Sequence, residues 1–192
     1  MDLLSDLNWN GNTEGRIKDM KYKKILKIKD WTEQEKGYIA GFIDGDGSII
    51  SQIVKDKTHR YKFYIRISLV FYQKSTSHWF ILQLQKKFKP YGYVRKRGVM
   101  SEFVIVEKGA VKLILEELYP YFILKKNLCR LVLEILKDLE EVETNADFLK
   151  VCEKVDKTAN YTYSKNRKIT SDFVKNDYFN SPVETSFKEA DN

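Results

Sequence analysis

The residues best suited to chemistry lie close together in Gly37–Gly47, which reads G-Y-I-A-G-F-I-D-G-D-G. Asp44 and Asp46 bring two carboxylates into a glycine-rich turn, and hard divalent cations take oxygen donors of this kind. An EF-hand loop does not fit, because counting from Asp44 its required glycine falls on Ile49. A phosphate-cradling P-loop does not fit either, since no Gly-Lys-Ser/Thr follows. The plain structural reading is a core helix that ends in an Asp-Gly-Asp-Gly turn, with Asp44 holding the turn or capping locally.

A helix must present this turn. Thr32 with Glu35 three residues on forms a capping box, and Tyr38, Ile39, Phe42 and Ile43 recur at helical spacing. Glycine costs about 1 kcal/mol against alanine inside a helix, so Gly37, Gly41 and Gly45 imply a purpose. With Ala40 they are expected to form a bare stripe where a second helix backbone can approach.

Beyond the turn, Ser48–Val54 begins a strand, Lys55–His59 is a polar bend, and Arg60–Gln73 returns. The return strand alternates. Tyr61, Phe63, Ile65, Ile67, Leu69 and Phe71 share one face; Lys62, Tyr64, Arg66, Ser68, Val70 and Tyr72 share the other. A long hairpin with one apolar and one mixed cationic face suits a DNA major groove, which admits a two-stranded ribbon. Ser75–Ser77 is expected to cap a second helix running through Trp79, Leu84 and Phe88. A second strand pair, Tyr93–Arg97 and Ser101–Glu107, turns at Gly98, and a third helix covers Gly109–Leu118. Leu124, Leu128, Leu131, Val132, Ile135 and Leu139 then line one helix face; Phe148, Val151, Cys152 and Val155 line a shorter one. Near the end, Ser164–Lys168 followed by Thr170–Asp172 could set a helix N-terminus against phosphate.

Charge agrees with a nucleic-acid partner. The net charge is +7, but residues 48–126 hold sixteen Lys/Arg against five Asp/Glu, an excess of +11 between two acidic segments. Such a block is the footprint of one polyanion-binding face. No apolar run reaches membrane-spanning length, so a soluble protein with no membrane partner is expected. Cys129 and Cys152 sit in apolar helical contexts and read as buried thiols. Residues 1–30 lack a signal-peptide pattern and read as a flexible extension, followed by a domain at 31–160 and a DNA-contacting segment and tail at 161–192.

Tyr38-Ile-Ala-Gly-Phe-Ile-Asp-Gly-Asp-Gly-Ser48 resembles the signature helix of the LAGLIDADG homing endonucleases. The resemblance covers about residues 33–173 and is strongest to the single-motif, homodimeric I-CreI-like group. It extends to Tyr72-Gln73-Lys74 before Trp79-Phe80, Gly92-Tyr93-Val94-Arg95 with Arg97, and Leu118-Tyr-Pro-Tyr-Phe122 before Leu124-Lys125. It implies an α+β fold with an α-β-β-α-β-β-α core, extra C-terminal helices and a saddle-shaped antiparallel sheet. It further implies that Asp46 and the carbonyl of Gly45 bind Mg2+ or another divalent cation such as Mn2+, with Gln73 and Lys125 around the attacking water. One position departs: the group carries arginine where this chain has Ser77, so Arg66, Lys74 or His78 would substitute, or the cation is dispensable.

By the same resemblance the chain would be an intron-encoded, site-specific endonuclease making double-strand breaks in a long, near-palindromic DNA. One motif copy supplies one Asp46, so a homodimer joined at Gly37, Ala40, Gly41 and Gly45 would be needed to cut both strands. Base-facing candidates are Gln52, Val54, Asp56, His59, Tyr64, Arg66, Ser68, Val70, Arg95, Arg97, Glu102 and Val104, with Lys165 and Lys168 on phosphates. The rival expectation is a splicing maturase that binds intron RNA, or a non-cleaving DNA-binding protein on the same fold. The expected location is intracellular: an organelle, chloroplast or mitochondrion, if the gene is encoded there, and otherwise the cytoplasm.

Overall fold

The computed structural model describes residues 28–162 and 167–180. The expected extension up to residue 27, Lys165 and the tail after 180 lie outside those residues. Helix α1, Glu33–Asp46, starts at the expected capping box: the Thr32 hydroxyl accepts the Glu35 N–H at 3.2 Å, and the Glu35 carboxylate accepts the Thr32 N–H at 2.9 Å. Ile39, Ala40, Ile43 and Asp44 form its buried side. Ala40 was expected on the bare stripe with Gly41, and the structure corrects this. At 3.6 residues per turn, sequence neighbours point about 100° apart. Ala40 therefore faces the chain's own core while Gly41 faces outward.

At the end of α1 the chain turns directly into β1, Gly47–Lys55. A Cβ on Gly47 would lie 2.7 Å from the Ile43 Cα, so only glycine fits this junction. Strand β2, Phe63–Lys74, pairs antiparallel with β1, with Gly47 opposite Phe71 and Lys55 opposite Phe63. The expected alternation holds: Phe63, Ile65, Ile67, Leu69 and Phe71 are all buried. The strand begins three residues later than expected because residues 56–62 close on themselves. The Asp56 carboxylate accepts the Thr58 N–H and hydroxyl, the Asp56 N–H reaches the Lys62 carbonyl, and Lys62 adopts a φ of 57°.

Ser75–Ser77 is a 3-10 turn and not the expected side-chain cap; the Ser75 N–H donates to the Val99 carbonyl instead. Helix α2 is His78–Phe88, and β3, Tyr93–Arg97, and β4, Met100–Ile105, turn at Gly98 with a φ of 56°. Helices α3, Lys108–Leu118, α4, Lys126–Asp138, α5, Asn145–Lys157, and α6, Ser171–Asn180, complete the described chain. The sheet order is β1-β2-β4-β3, all antiparallel. Phe71, Phe88 and Phe103 meet with ring centroids 5.4–5.8 Å apart at the centre of the core. Burying each such ring contributes about 1.5–3 kcal/mol. Leu124, expected on the core face of α4, precedes that helix and is 78% exposed.

Among the described residues no helix is long and apolar enough to cross a membrane. Both cysteines are buried, and burial pushes each thiol up to about 12. An aromatic disulfide reagent at about pH 8 should therefore leave Cys129 and Cys152 unmodified in folded protein and label both only after denaturant is added, read as absorbance of released thiolate. Prompt labelling without denaturant would contradict this burial.

Candidate active site

Asp46 is the last residue of α1 and its side chain faces solvent. Asp44, two residues earlier in the helix, behaves differently. It is buried, and its carboxylate accepts three backbone N–H groups from the loop before α4: Ile123 at 2.7 Å, Lys125 at 2.9 Å and Leu124 at 3.1 Å. Ile123 and Leu124 precede α4 and Lys125 is its N-cap, so the carboxylate lies at the helix N-terminus, which favours negative charge. The Lys125 ammonium in turn donates to the Asp44 backbone carbonyl. Asp44 thus locks the α4 entry onto the end of α1, across about eighty residues of sequence. The local cap expected of Asp44 is in fact a long-range one.

The lock sets Lys125 beside Asp46. Partial burial lowers the Lys125 ammonium below the ordinary lysine value, and the carboxylates of Asp44 and Asp46 oppose that shift. Gly45, Asp46 and Lys125 line one end of a depression of about 820 Å³ along the free edge of β1. Arg66, Tyr72, Arg167 and Lys168 continue its wall. Gln73 is not on that wall. It lies two residues past the Phe71–Gly47 pair, on the core side of β2, where β2 pairs with Ser101 of β4.

Several expected contact residues do occupy the outer face of the sheet. Gln52 and Arg66 are cross-strand neighbours, and the Arg66 guanidinium donates to the Gln52 side chain at 2.6 Å. Val54 pairs with Tyr64, on which the His59 ring stacks at 4.7 Å, while Asp56 is occupied by the loop's own donors. Arg95 is ion-paired to Glu102, and Arg97 is exposed. Four candidates are corrected. Ser68, Val70, Glu102 and Val104 are 7% exposed or less. Each lies in an inner row: Glu102 is paired with Tyr72 and Arg95, and Val104 with Val70 and Tyr93. They form the floor under longer neighbours.

The expected phosphate site at the α6 start is corrected too. Two of its amides already have partners: Ser171 N–H donates to the Asp156 carboxylate at 2.7 Å and Phe173 N–H to the Thr170 hydroxyl at 3.3 Å. Arg167 donates to the Val155 carbonyl and the Thr158 hydroxyl, which braces the end of α5. Lys168 is exposed on the wall of the depression. Of the three residues considered in place of the family arginine, Arg66 is engaged by Gln52, Lys74 is exposed, and His78 sits 3.1 Å from the Ser101 hydroxyl.

The bare stripe expected at Gly37, Gly41 and Gly45 is present, and only its apolar flank was not anticipated. A Cβ on Gly37, Gly41 or Gly45 would meet nothing within 4 Å, so the outer face of α1 is open. Large apolar groups flank it: Tyr38 is 59% exposed, Trp79 61%, Ile123 85% and Leu124 78%. Periodicity had assigned Leu124 to a core helix, so its place beside the stripe was hidden.

Residues 39–131 match the LAGLIDADG endonuclease family. DNA endonuclease I-CreI of Chlamydomonas reinhardtii is 37% identical over 139 residues, which is 72% of this chain and 85% of the relative. DNA endonuclease I-CvuI of Chlorella vulgaris is 36% identical over 139 residues, 72% of this chain and 86% of the relative. The crystal structure of the homing endonuclease I-CvuI in complex with its target in the presence of Ca superposes with a TM-score of 0.69 at 35% identity, covering 74% of this chain and 90% of that one. The archaeal intron-encoded homing endonuclease I-Vdi141I, at 17% identity and a TM-score of 0.63 over 74% of this chain and 92% of that one, shares the fold. The signature helix ending in Asp46, the four-stranded antiparallel sheet and these matches agree, and the chain belongs to the LAGLIDADG endonuclease family.

Proposed function

We propose that this chain is a site-specific DNA endonuclease that acts as a homodimer and uses a divalent cation, Mg2+ or Mn2+, to hydrolyse both strands of a near-palindromic target. The observation that carries the reading is the Asp44 lock, which holds a lysine beside an exposed aspartate at one end of a basic depression. The donor set suits a hard ion. Asp46 is the exposed carboxylate and Gly45 offers a carbonyl, whereas both oxygens of Asp44 already accept N–H groups. Among the described residues no group of three or more His, Cys, Asp or Glu could enclose a metal. One carboxylate per protomer matches Mg2+, which keeps water ligands and takes phosphate oxygens. Bound there, such an ion would supply Lewis acidity and an activated water.

This chain's own residues would do the rest. Asp46 and Gly45 would hold the ion and Lys125 would stabilise charge developing on the scissile phosphate, whereas Gln73, which lies off the wall these three share, would orient water from the end of β2. The outer face of the β1–β2 hairpin, with Gln52, Tyr64 and Arg66, would read bases, and Arg97 would extend the readout from β3. Lys165 and Lys168 would contact phosphates and give affinity without sequence information. The two α1 helices would meet along Gly37, Gly41 and Gly45, and Tyr38, Trp79, Ile123 and Leu124 would be covered in the dimer.

Incubating the protein with DNA that spans its intron-less insertion site, with Mg2+, tests the activity. Two discrete products are expected; binding of intron RNA with the DNA left intact would favour the maturase reading. The interface has its own test. Leucine at position 41 places four extra carbons where backbones are to meet, so Gly41→Leu should abolish the dimer in sedimentation and cut double-strand cleavage by roughly a hundredfold. A dimeric, active Gly41→Leu protein would refute the packing.

A further inference from the structure

The β1–β2 hairpin is braced unevenly along its length. Strand β4 pairs with β2 only from Leu69 to Lys74, while β2 from Phe63 to Ser68 has β1 alone as a sheet neighbour. The outer half of the hairpin is therefore a two-stranded ribbon, and an isolated ribbon is marginal in water. Its back is covered by the C-terminal helices. Lys55 pairs with Phe63 and, at the ribbon's end, its ammonium meets the Asp177 carboxylate of α6 at 2.5 Å. The same ammonium lies 5.5 Å from the ring centroids of Phe63 and of Phe173 on α6. Tyr178 stands edge-on to Phe63, and its hydroxyl donates to the Tyr61 carbonyl at 2.9 Å. From α5, Phe148 stacks on Tyr61 with centroids 4.8 Å apart, and Arg60 reaches the Glu143 carbonyl at 2.8 Å.

We propose that α6 is a buttress for the outer hairpin and that Lys55 and Asp177 are positioning residues for base readout at the outer part of each half-site. The inference rests on the reading of the hairpin face as the DNA reader. The faces divide the work. Val54, Tyr64, Gln52 and Arg66 point away from α6, whereas Lys55 and Phe63 point toward it. The Lys55–Asp177 pair touches no base and acts through the pitch and twist it imposes on the ribbon. Its side chains are only 38% and 19% exposed, and the aromatic rings around the ammonium reduce solvent screening. The pair also joins the two ends of the brace, because α6 is itself anchored to α5 through Asp156 and Ser171.

The test uses the full chain, with Lys55→Met, Asp177→Asn and the charge exchange Lys55→Asp with Asp177→Lys. The first measurement needs no DNA. Amide hydrogen exchange across residues 52–66 should speed up by roughly fivefold in each single variant and return toward wild type in the exchange, while β3 and β4 stay unchanged. The second is cleavage of a target library randomised along the half-site. The single variants should lose roughly fivefold in discrimination at outer positions, keep their preferences at inner positions, and regain the outer ones in the charge exchange. Unchanged hairpin exchange overturns the buttress. Faster exchange with unaltered outer preferences, or a loss spread evenly over all positions, overturns the positioning role. If the wild-type protein neither binds nor cuts DNA, the functional reading fails, and the hydrogen-exchange result still decides whether the buttress exists.

Discussion

Asp46→Asn should reduce cleavage in Mg2+ by roughly a thousandfold or more while leaving DNA binding in EDTA level or slightly tighter. The substitution keeps the shape of the side chain and removes its charge, and with the charge goes most of its capacity for a hard cation. Asp46 is exposed, so nothing in the fold depends on its carboxylate. Without metal, two aspartates near two phosphates repel the duplex, so removing them contributes a small favourable change. Filter binding and cleavage on one labelled duplex measure both quantities. A variant that cuts at near wild-type rate would remove Asp46 from the metal site, and one that fails to bind in EDTA would recast it as a recognition residue.

Asp44→Ala should have an equally large effect by a different route. Three N–H groups of residues 123–125 would lose their acceptor in a partly buried place. Each unsatisfied donor costs about 1–3 kcal/mol, and since the loop can relax toward water the sum should be about 3–5 kcal/mol. Urea unfolding measures that loss. The Lys125 loop would also come free of α1, so cleavage at a temperature where the variant remains folded should fall by roughly a hundredfold. Asp44→Asn keeps one acceptor oxygen, so it should retain more stability than Asp44→Ala and more cutting than either Asp44→Ala or Asp46→Asn. If Asp44→Asn and Asp46→Asn were equally inactive with stability unchanged, Asp44 would be acting at the reaction centre and not as the lock.

These two aspartates are two residues apart and offer the same oxygen donors by residue type, although sequence set Asp44 in the turn and, by resemblance, Asp46 on the metal. Their separation into an exposed and a buried group arises from where α4 begins, some eighty residues away. Local sequence determined a great deal here. The Thr32–Glu35 capping box, the alternation from Phe63 to Phe71, the turn at Gly98 and the α-β-β-α-β-β-α order are short-range consequences of side-chain shape and period, and they stand as read. The stretch Tyr38–Ser48 resembles the family's signature, and its helical glycines at every fourth position are costly unless an open face is required.

What tertiary structure alone decided is which way each element faces and what stands next to it. Ala40 turned inward because the core lies on the Ile39–Ile43 side of α1, and Leu124 turned outward because α4 starts two residues later. Ser68, Val70, Glu102 and Val104 share a face with Arg66 yet sit low between longer cross-strand neighbours, a matter of pairing register that one strand's pattern cannot contain. Helix α6 escaped the periodicity reading because its helix-wide apolar stripe is weak; it is held by a few contacts to a hairpin more than a hundred residues earlier. Periodicity reports a segment's preference for an inside and an outside, whereas the identity of the inside is fixed only when distant segments pack.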